Sequence, residues 1–307
     1  MKVLVATEKP FAKVAVDGIR EVVEKNGHTL ALLEKYTDVN DFYAAVADAD
    51  ALIVRSDKVT KEVIDHAKNL KIVVRAGAGY DNLDLEACTA RGIVAMNTPG
   101  QNSNAVAELV MGLLVYCVRN SYNGKSGSEL MGKKLGILAF GNVGRNVARI
   151  ANGFGMKVYA YDAFCPADVI NASGLATAVA NQEALFEECD IVSLHIPATA
   201  ETKNSINKAL VGLMPKNGLL VNTARKEVIN EDELIELMQE RTDLKYVADV
   251  MPAADAKFRT LFADRYFATP KKMGAQTAEA NINAGIAAAK QIVDFFTTGN
   301  TRFQVNK

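Results

Sequence analysis

The sequence predicts an α/β protein made of two doubly wound parallel-sheet domains. Three observations carry that prediction. Short, continuously apolar runs alternate with helical patterns almost from end to end, and strands of that composition are those covered by helices on both faces. The alternation halts after Met96 and starts afresh at Leu135, with a long helix and a polar connection between. A length of 307 residues suits two domains at roughly 100–200 residues each.

The first series opens with Val3–Ala6, set directly behind Met1-Lys2 and closed by Glu8-Lys9-Pro10. That run is too short for the core of a signal peptide and reads as a first strand. Thr29–Leu33, Ala51–Arg55, Ile72–Arg75 and Ile93–Met96 repeat the pattern. Helical patterns near Ala12–Lys25, Asn40–Ala47, Thr60–Ala67 and Asp84–Ala90 lie between them. A longer helix, Asn102 to about Arg119, leads into Ser121-Tyr122-Asn123-Gly124-Lys125-Ser126-Gly127-Ser128, a composition that marks a connection between units. The second series has strands at Leu135–Phe140, Val158–Tyr161, Ile191–Leu194, Leu219–Asn222 and Tyr246–Asp249, with helices between. A long alanine-rich helix follows from Thr277 to about Phe296. No fixed-period repeat, low-complexity tract or heptad pattern is present.

Composition narrows the function classes. Apolar residues make up 49% and charged residues 23%, which excludes disorder and small disulfide-stapled scaffolds. Lys plus Arg number 35 against 36 Asp plus Glu, a net charge of −1. A nucleic-acid coat or a polybasic membrane binder needs a basic surplus, so neither partner is expected. Cys88, Cys117, Cys165 and Cys189 are scattered and form no CxxC pair. No metal site is therefore expected, and free thiols in a reducing compartment, the cytoplasm, are the plain reading. No uncharged apolar run is long enough to span a membrane.

The chemistry begins at Leu135-Gly136-Ile137-Leu138-Ala139-Phe140-Gly141-Asn142-Val143-Gly144-Arg145. Its glycines fall at a strand-to-helix turn. Gly141 would let the backbone approach a pyrophosphate, and Gly144 would let the helix pack closely on the strand. With Asn142 and Val143 they open a helix whose free N–H groups and dipole face phosphates. Ala139 replaces the first glycine of the GxGxxG pattern, so a glycine-rich turn without a ligand is a serious competitor. Asp162 lowers that alternative. It ends the next strand, 18 residues after Gly144, where an adenosine ribose 2′-hydroxyl needs an acceptor. The same carboxylate would repel a 2′-phosphate, and Ala163-Phe164-Cys165-Pro166 offer no arginine to hold one. The cofactor expected is NAD rather than NADP.

Further motifs follow in a specific order: Val54-Arg55-Ser56, Arg75-Ala76-Gly77-Ala78-Gly79-Tyr80-Asp81-Asn82, Asn97-Thr98-Pro99-Gly100-Gln101-Asn102, Leu194-His195-Ile196-Pro197, Asn222-Thr223-Ala224-Arg225, Ala248-Asp249-Val250 and Thr269-Pro270. On these the chain resembles the D-2-hydroxyacid dehydrogenase family over essentially its whole length, and within it the short D-3-phosphoglycerate dehydrogenases. The resemblance implies a Rossmann-type NAD domain, 98–277, inserted into a flavodoxin-like substrate domain, 1–97 plus 278–307. It implies a homodimer contact through the helix around Ala105–Val118. No feedback through an appended regulatory domain is expected after Lys307.

Hydride transfer at the carbon of a 2-hydroxy acid needs a cation for the carboxylate and carbonyl, a group that exchanges the hydroxyl proton, and an aligned nicotinamide. Arg225 matches the family's catalytic arginine, and its planar fork suits a 2-oxo acid. Lys226 follows it where glycine is more usual. The resemblance places Thr223, Ala224 and Asp249 at the cofactor, with a buried, hydrogen-bonded structural aspartate as the lesser reading of Asp249. His195 reads as a wall near the cofactor and not as the acid/base.

The family's usual histidine after Thr-Pro, and its supporting glutamate, are both missing. The histidines are His28, His66 and His195, and the glutamate position is Ala254, with Asp255 beside it. A dead enzyme, Asp255 on a shifted loop, and a substituted acid/base compete. Substitution is favoured, because anchoring on Gly274-Ala275 places Lys272 at the histidine position and makes Lys271 an insertion. A lysine starts near 10.4 and would be held protonated by a carboxylate, so the paired loss is coherent. Arg225, Lys271 and partial burial are expected to lower it. A lysine-type subgroup exists among the short enzymes resembled.

Arg55, Ser56 and Arg75 fall at the C-terminal ends of strands, where open α/β sheets bind ligands, and Ala76 and Gly77 follow. These cations favour a phosphorylated substrate, hence oxidation of D-3-phosphoglycerate to 3-phosphooxypyruvate, the entry to serine biosynthesis. The alternatives are a glyoxylate/hydroxypyruvate reductase of the same family and a non-catalytic NAD-sensing interaction protein.

Overall fold

The computed structural model describes residues 1–306, so Lys307, the last residue of the expected substrate domain, lies outside the described residues. The chain divides into two compact units. One comprises Met1–Asn102 and the chain from Gln276 onward; the other is Ser103–Ala275. The divisions differ slightly from the expected 98 and 277. Thr98 stays with the first unit because its N–H donates to the Gly77 carbonyl at 2.9 Å, and Thr277 stays because it caps the terminal helix.

The first unit holds β1 (Lys2–Thr7), β2 (Thr29–Glu34), β3 (Ala51–Val54), β4 (Ile72–Arg75) and β5 (Val94–Asn97). All pair in parallel in the order β2-β1-β3-β4-β5, which is the flavodoxin-like order. The continuous apolar runs are explained by the two faces. Val3, Val5, Ile53 and Val74 meet Phe11, Ile19 and Ile292 on one side, while Leu4, Leu52 and Val54 meet Phe42 and Ile64 on the other. The alanine-rich helix Ala278–Thr298 covers the first face, with Thr277 accepting from the Ala280 N–H and Gly299 ending it in the left-handed region. Its small residues allow close approach: a Cβ on Gly285 would stand 3.0 Å from Ile19 Cδ1. Beyond it, the Val305 N–H donates to Ala95 O and the buried Asn306 side chain bridges Ala95 N and Ile93 O, shielding the β5 edge.

The second unit holds β6 (Lys134–Leu138), β7 (Lys157–Tyr161), β8 (Thr177–Ala178), β9 (Ile191–Leu194), β10 (Leu219–Asn222), β11 (Lys245–Ala248) and β12 (Tyr266–Ala268). Their order is β12-β11-β10-β9-β6-β7-β8, all parallel, the dinucleotide-binding order with one strand added. The two edge strands, β8 and β12, are additions to the sequence reading. Each is too short to show a period, and each exists by pairing with its neighbour, β7 or β11. Strand order reverses between β6 and β9, the crevice position where ligands of such sheets bind. The helix Ser103–Val118 is apolar nearly all round: Val106, Ala107, Val110, Met111 and Leu114 are buried, while Leu109, Val115 and Tyr116 remain half-buried.

Among the described residues, no helix is long and apolar enough to cross a membrane.

Candidate active site

The turn after β6 is shaped by three small residues. Ala139 stands at φ +80°, the left-handed conformation that explains why glycine is usual there. A Cβ on Gly144 would meet the Ala139 carbonyl oxygen at 2.3 Å, so only glycine lets the helix Asn142–Gly153 sit this close to β6. A Cβ on Gly141, by contrast, would meet nothing within 4 Å. Open space therefore lies before the N-terminus of this helix, flanked by exposed Asn142 and half-buried Val143. Together these features fit a pyrophosphate.

Asp162 follows β7. Its Oδ2 accepts the Phe140 N–H at 2.7 Å, and its Oδ1 accepts the Phe164 and Cys165 N–H groups at 2.8 and 3.0 Å. The carboxylate thus ties its own loop to the glycine-rich turn. It lines a surface pocket of about 290 Å³ with Tyr161, Phe164, Cys165, Ile170 and Val179.

The loop after β10 is built by Asn222. Its Oδ1 accepts the Ala224 N–H at 3.0 Å and its Nδ2 donates to Arg225 O at 2.9 Å. The turn leaves Arg225 half-buried, with Nη1 donating to Ala224 O. Thr223 Oγ1 is buried without a hydrogen-bond partner, a group that a ligand would satisfy. Lys226 begins a helical turn, Lys226–Val228, and is absent from the residues with positive φ. Glycine is not required at that position.

His195 Nε2 shares a hydrogen bond of 3.0 Å with Ser193 Oγ, and the His195 backbone N–H donates to Leu138 O, continuing the β6/β9 pairing. Burial pushes its imidazole down to about 3. It is therefore neutral throughout the working range and fits a wall residue rather than an acid.

Asp249 is wholly buried after β11. Oδ1 accepts Met273 N–H at 2.7 Å and Thr269 Oγ1 at 2.9 Å, and Oδ2 accepts Gly274 N–H at 2.8 Å. These bonds make it a buried, hydrogen-bonded aspartate that grips the loop carrying Lys272. Lys272 is exposed, which corrects the expectation of partial burial: the Asp249 bonds bury the Thr269 and Gly274 ends of the loop but not its middle. Asp255 opens the helix Asp255–Leu261. Burial pushes its carboxyl up, but hydrogen bonds from Arg259 at 2.8 Å and Tyr266 at 2.7 Å overcome that and hold it below the usual carboxylate range. So occupied, it is a poor proton acceptor.

In the first unit, Arg55 follows β3. Its Nη1 donates to Lys9 O and Pro10 O at 3.1 and 3.3 Å, its Nη2 donates to Asn281 Oδ1 at 2.7 Å, and it lies 5.2 Å from the Phe11 ring centroid. No carboxylate lies within ion-pair distance among the described residues, and burial lowers its pKa. Arg75 Nε donates to Arg55 O at 3.0 Å. Its guanidinium lies over Gly77, at φ +151°, where a Cβ would collide with Nη1. Ala76 and Gly77 are buried and Ser56 is exposed. Asn281 was missed in the sequence; it lies 226 residues from Arg55, with no local signal to join them.

The second unit's match is decisive: residues 108–270 fit the model of the D-isomer specific 2-hydroxyacid dehydrogenase NAD-binding domain. The chain belongs to the D-2-hydroxyacid dehydrogenase family. Family members are NAD-dependent oxidoreductases, and this chain is one. It is 36% identical to hydroxypyruvate reductase of Thermotoga maritima over 87% of this chain and 91% of that protein. It is 38% identical to D-3-phosphoglycerate dehydrogenase of Methanocaldococcus jannaschii over 80% of this chain, but spans 50% of that longer protein. The crystal structure of NAD⁺-bound 3-phosphoglycerate dehydrogenase from Entamoeba histolytica superposes with a TM-score of 0.87 at 50% identity, covering 100% of this chain and 99% of that one.

Proposed function

We propose that this dehydrogenase oxidises D-3-phosphoglycerate to 3-phosphooxypyruvate, the first step of serine biosynthesis. The observation that carries the substrate choice is Arg55, a half-buried guanidinium steered by two backbone carbonyls and Asn281, with the Asp57 charge nearby but no carboxylate in ion-pair contact. A phosphate supplies that direct partner. Likeness to the Entamoeba enzyme over the whole chain supports the same choice.

In this reading, bound NAD supplies the acceptor for the hydride that leaves C2. Asp162 accepts from the adenosine ribose, which favours NAD over NADP, and Thr223 and Ala224 line the cofactor. Arg225 holds the substrate carboxylate and stabilises the oxygen that becomes the carbonyl. Lys272, neutral at that moment, takes the hydroxyl proton at Nζ. The subunit works as a homodimer through Ser103–Val118, whose Leu109, Val115 and Tyr116 stay half-buried in one chain. Four free cysteines support a reducing, cytoplasmic setting.

Likeness to hydroxypyruvate reductase along nearly its full length favours a second reading, reduction of unphosphorylated hydroxypyruvate. A comparison of NADH formation from 3-phosphoglycerate and glycerate, with the reverse reaction on the matching oxo acids, separates the two. Higher kcat/KM for the phosphorylated pair supports the proposal. Preference for the unphosphorylated pair replaces it with the second reading, and turnover of neither removes both.

A further inference from the structure

No arginine stands in residues 163–166, yet the fold brings one there from elsewhere. Arg145, in the first turns of the helix Asn142–Gly153, turns back towards the loop that carries Asp162. Its Nε donates to Phe140 O at 3.1 Å, its guanidinium lies 4.6 Å from the Phe140 ring centroid, and its Nη2 reaches Cys165 Sγ at 3.6 Å. Phe140 and Cys165 are two of the three residues whose N–H groups hold the Asp162 carboxylate. The cation thus lies one residue away from that carboxylate on both sides, without pairing to it. Among the described residues it forms no ion pair with any other carboxylate.

We propose that Arg145 is a specificity-determining residue for the cofactor: it stands beside the anion-binding nest that the Phe140, Phe164 and Cys165 N–H groups form and that Asp162 fills. In the native protein the carboxylate occupies the nest and repels a 2′-phosphate. Removal of the carboxylate leaves three backbone donors with a guanidinium beside them, held on Phe140 O and Cys165 Sγ, and a ribose 2′-phosphate, larger than the carboxylate, draws on both. Cofactor choice here is therefore a competition between two anions for one nest, and Arg145 supplies the charge that makes the second anion welcome. This rests on the reading of Asp162 as the ribose acceptor.

Titration of NADH and NADPH onto the purified protein by fluorescence, without substrate, tests both ideas separately. Asp162→Ala should bind NADPH at least about tenfold more tightly than the wild type does, the size of one charge-assisted contact. Asp162→Ala combined with Arg145→Ala should lose that gain, and Asp162→Ala with Arg145→Lys should keep part of it. Arg145→Gln, which retains length and hydrogen bonding, replaces Arg145→Ala if the latter melts below the assay temperature. A gain that survives loss of the Arg145 charge overturns the proposal. Weakened NADH binding in Asp162→Ala with no NADPH gain also overturns it, while leaving the ribose reading intact. Unchanged NADH affinity in Asp162→Ala removes the ribose reading itself, and the proposal with it.

Discussion

Asp249 and Gly274 are in direct contact: the Gly274 N–H donates to Oδ2 at 2.8 Å, and a Cβ on Gly274 would lie 2.9 Å from that same oxygen. Val106 closes the other side at 3.2 Å, so a side chain at 274 has nowhere to go. Gly274→Ala should push the Lys272 loop away from Asp249 and lower kcat by about tenfold or more, since small misplacements of a catalytic group are costly. NADH binding, measured by fluorescence titration, should change much less. An equal loss in both would mean that the loop bears on the cofactor and not on the chemistry.

Ala139 offers the opposite case, a residue whose replacement should help. At φ +80° an L-residue costs roughly 1–2 kcal/mol, part of which glycine gives back through its greater freedom in the unfolded chain. Ala139→Gly should raise the unfolding free energy of the protein by about 0.5–1 kcal/mol in urea titration. A loss of stability would show that the Ala139 methyl makes packing contacts worth more than the strain.

The contrast between these two sites shows what was legible in the sequence. Most strand positions, the glycine-rich turn and Asp162 follow from local patterns, because burial on both faces and a tight turn each leave a signature within a few residues; the order of the strands does not, and only the family resemblance implied it. The edge strands β8 and β12 leave none, since pairing alone creates them. Asn281 steering Arg55, and Arg145 reaching Cys165, depend on contacts between residues distant in sequence. The exposure of Lys272 is not legible for a related reason: Asp249 anchors the loop largely through the Met273 and Gly274 backbone N–H groups, which leave no side-chain signature.

Arg55 separates phosphate recognition from general packing. Arg55→Ala should raise KM for 3-phosphoglycerate by about tenfold to a hundredfold, equivalent to a charge-assisted contact of roughly 1.5–3 kcal/mol, and should barely alter KM for glycerate. Asn281→Ala should follow the same pattern more weakly, because it orients the guanidinium without touching the substrate. Equal effects on both substrates would make Arg55 a structural residue that braces Lys9 and Pro10.

His195 gives a pH prediction with a definite sign. Its folded pKa, about 3, lies below the ordinary value near 6.5 for a free imidazole. Between those values the unfolded chain binds the proton and the folded chain does not. Stability is therefore complete above about pH 6.5 and falls as pH drops, with a slope of at most about 1.4 kcal/mol per pH unit. His195→Asn should flatten that fall between pH 6 and pH 4 when denaturation midpoints are compared, although it lowers stability at neutral pH by removing the Ser193 contact. Parallel wild-type and variant curves would show that the imidazole is accessible to protons.

Lys272 carries the sharpest prediction, because two neighbours give it controls. Lys272→Ala should reduce turnover by roughly 10²–10⁴-fold, the usual span of general acid–base catalysis, with NADH affinity nearly kept. Lys271→Ala should do far less, since the Gly274 anchor makes it the inserted residue. Asp255→Ala should cost stability through the Arg259 and Tyr266 bonds but leave kcat within a few-fold. Lys272→Arg then distinguishes proton transfer from charge alone: arginine keeps the cation but does not release its proton in proteins. For oxidation the lysine must be neutral, so wild-type activity should keep rising into alkaline pH, beyond the range where a histidine levels off. An active Lys272→Arg enzyme with the same alkaline rise would assign the proton to another group, and a dead Asp255→Ala beside it would move the chemistry to the loop after Asp249.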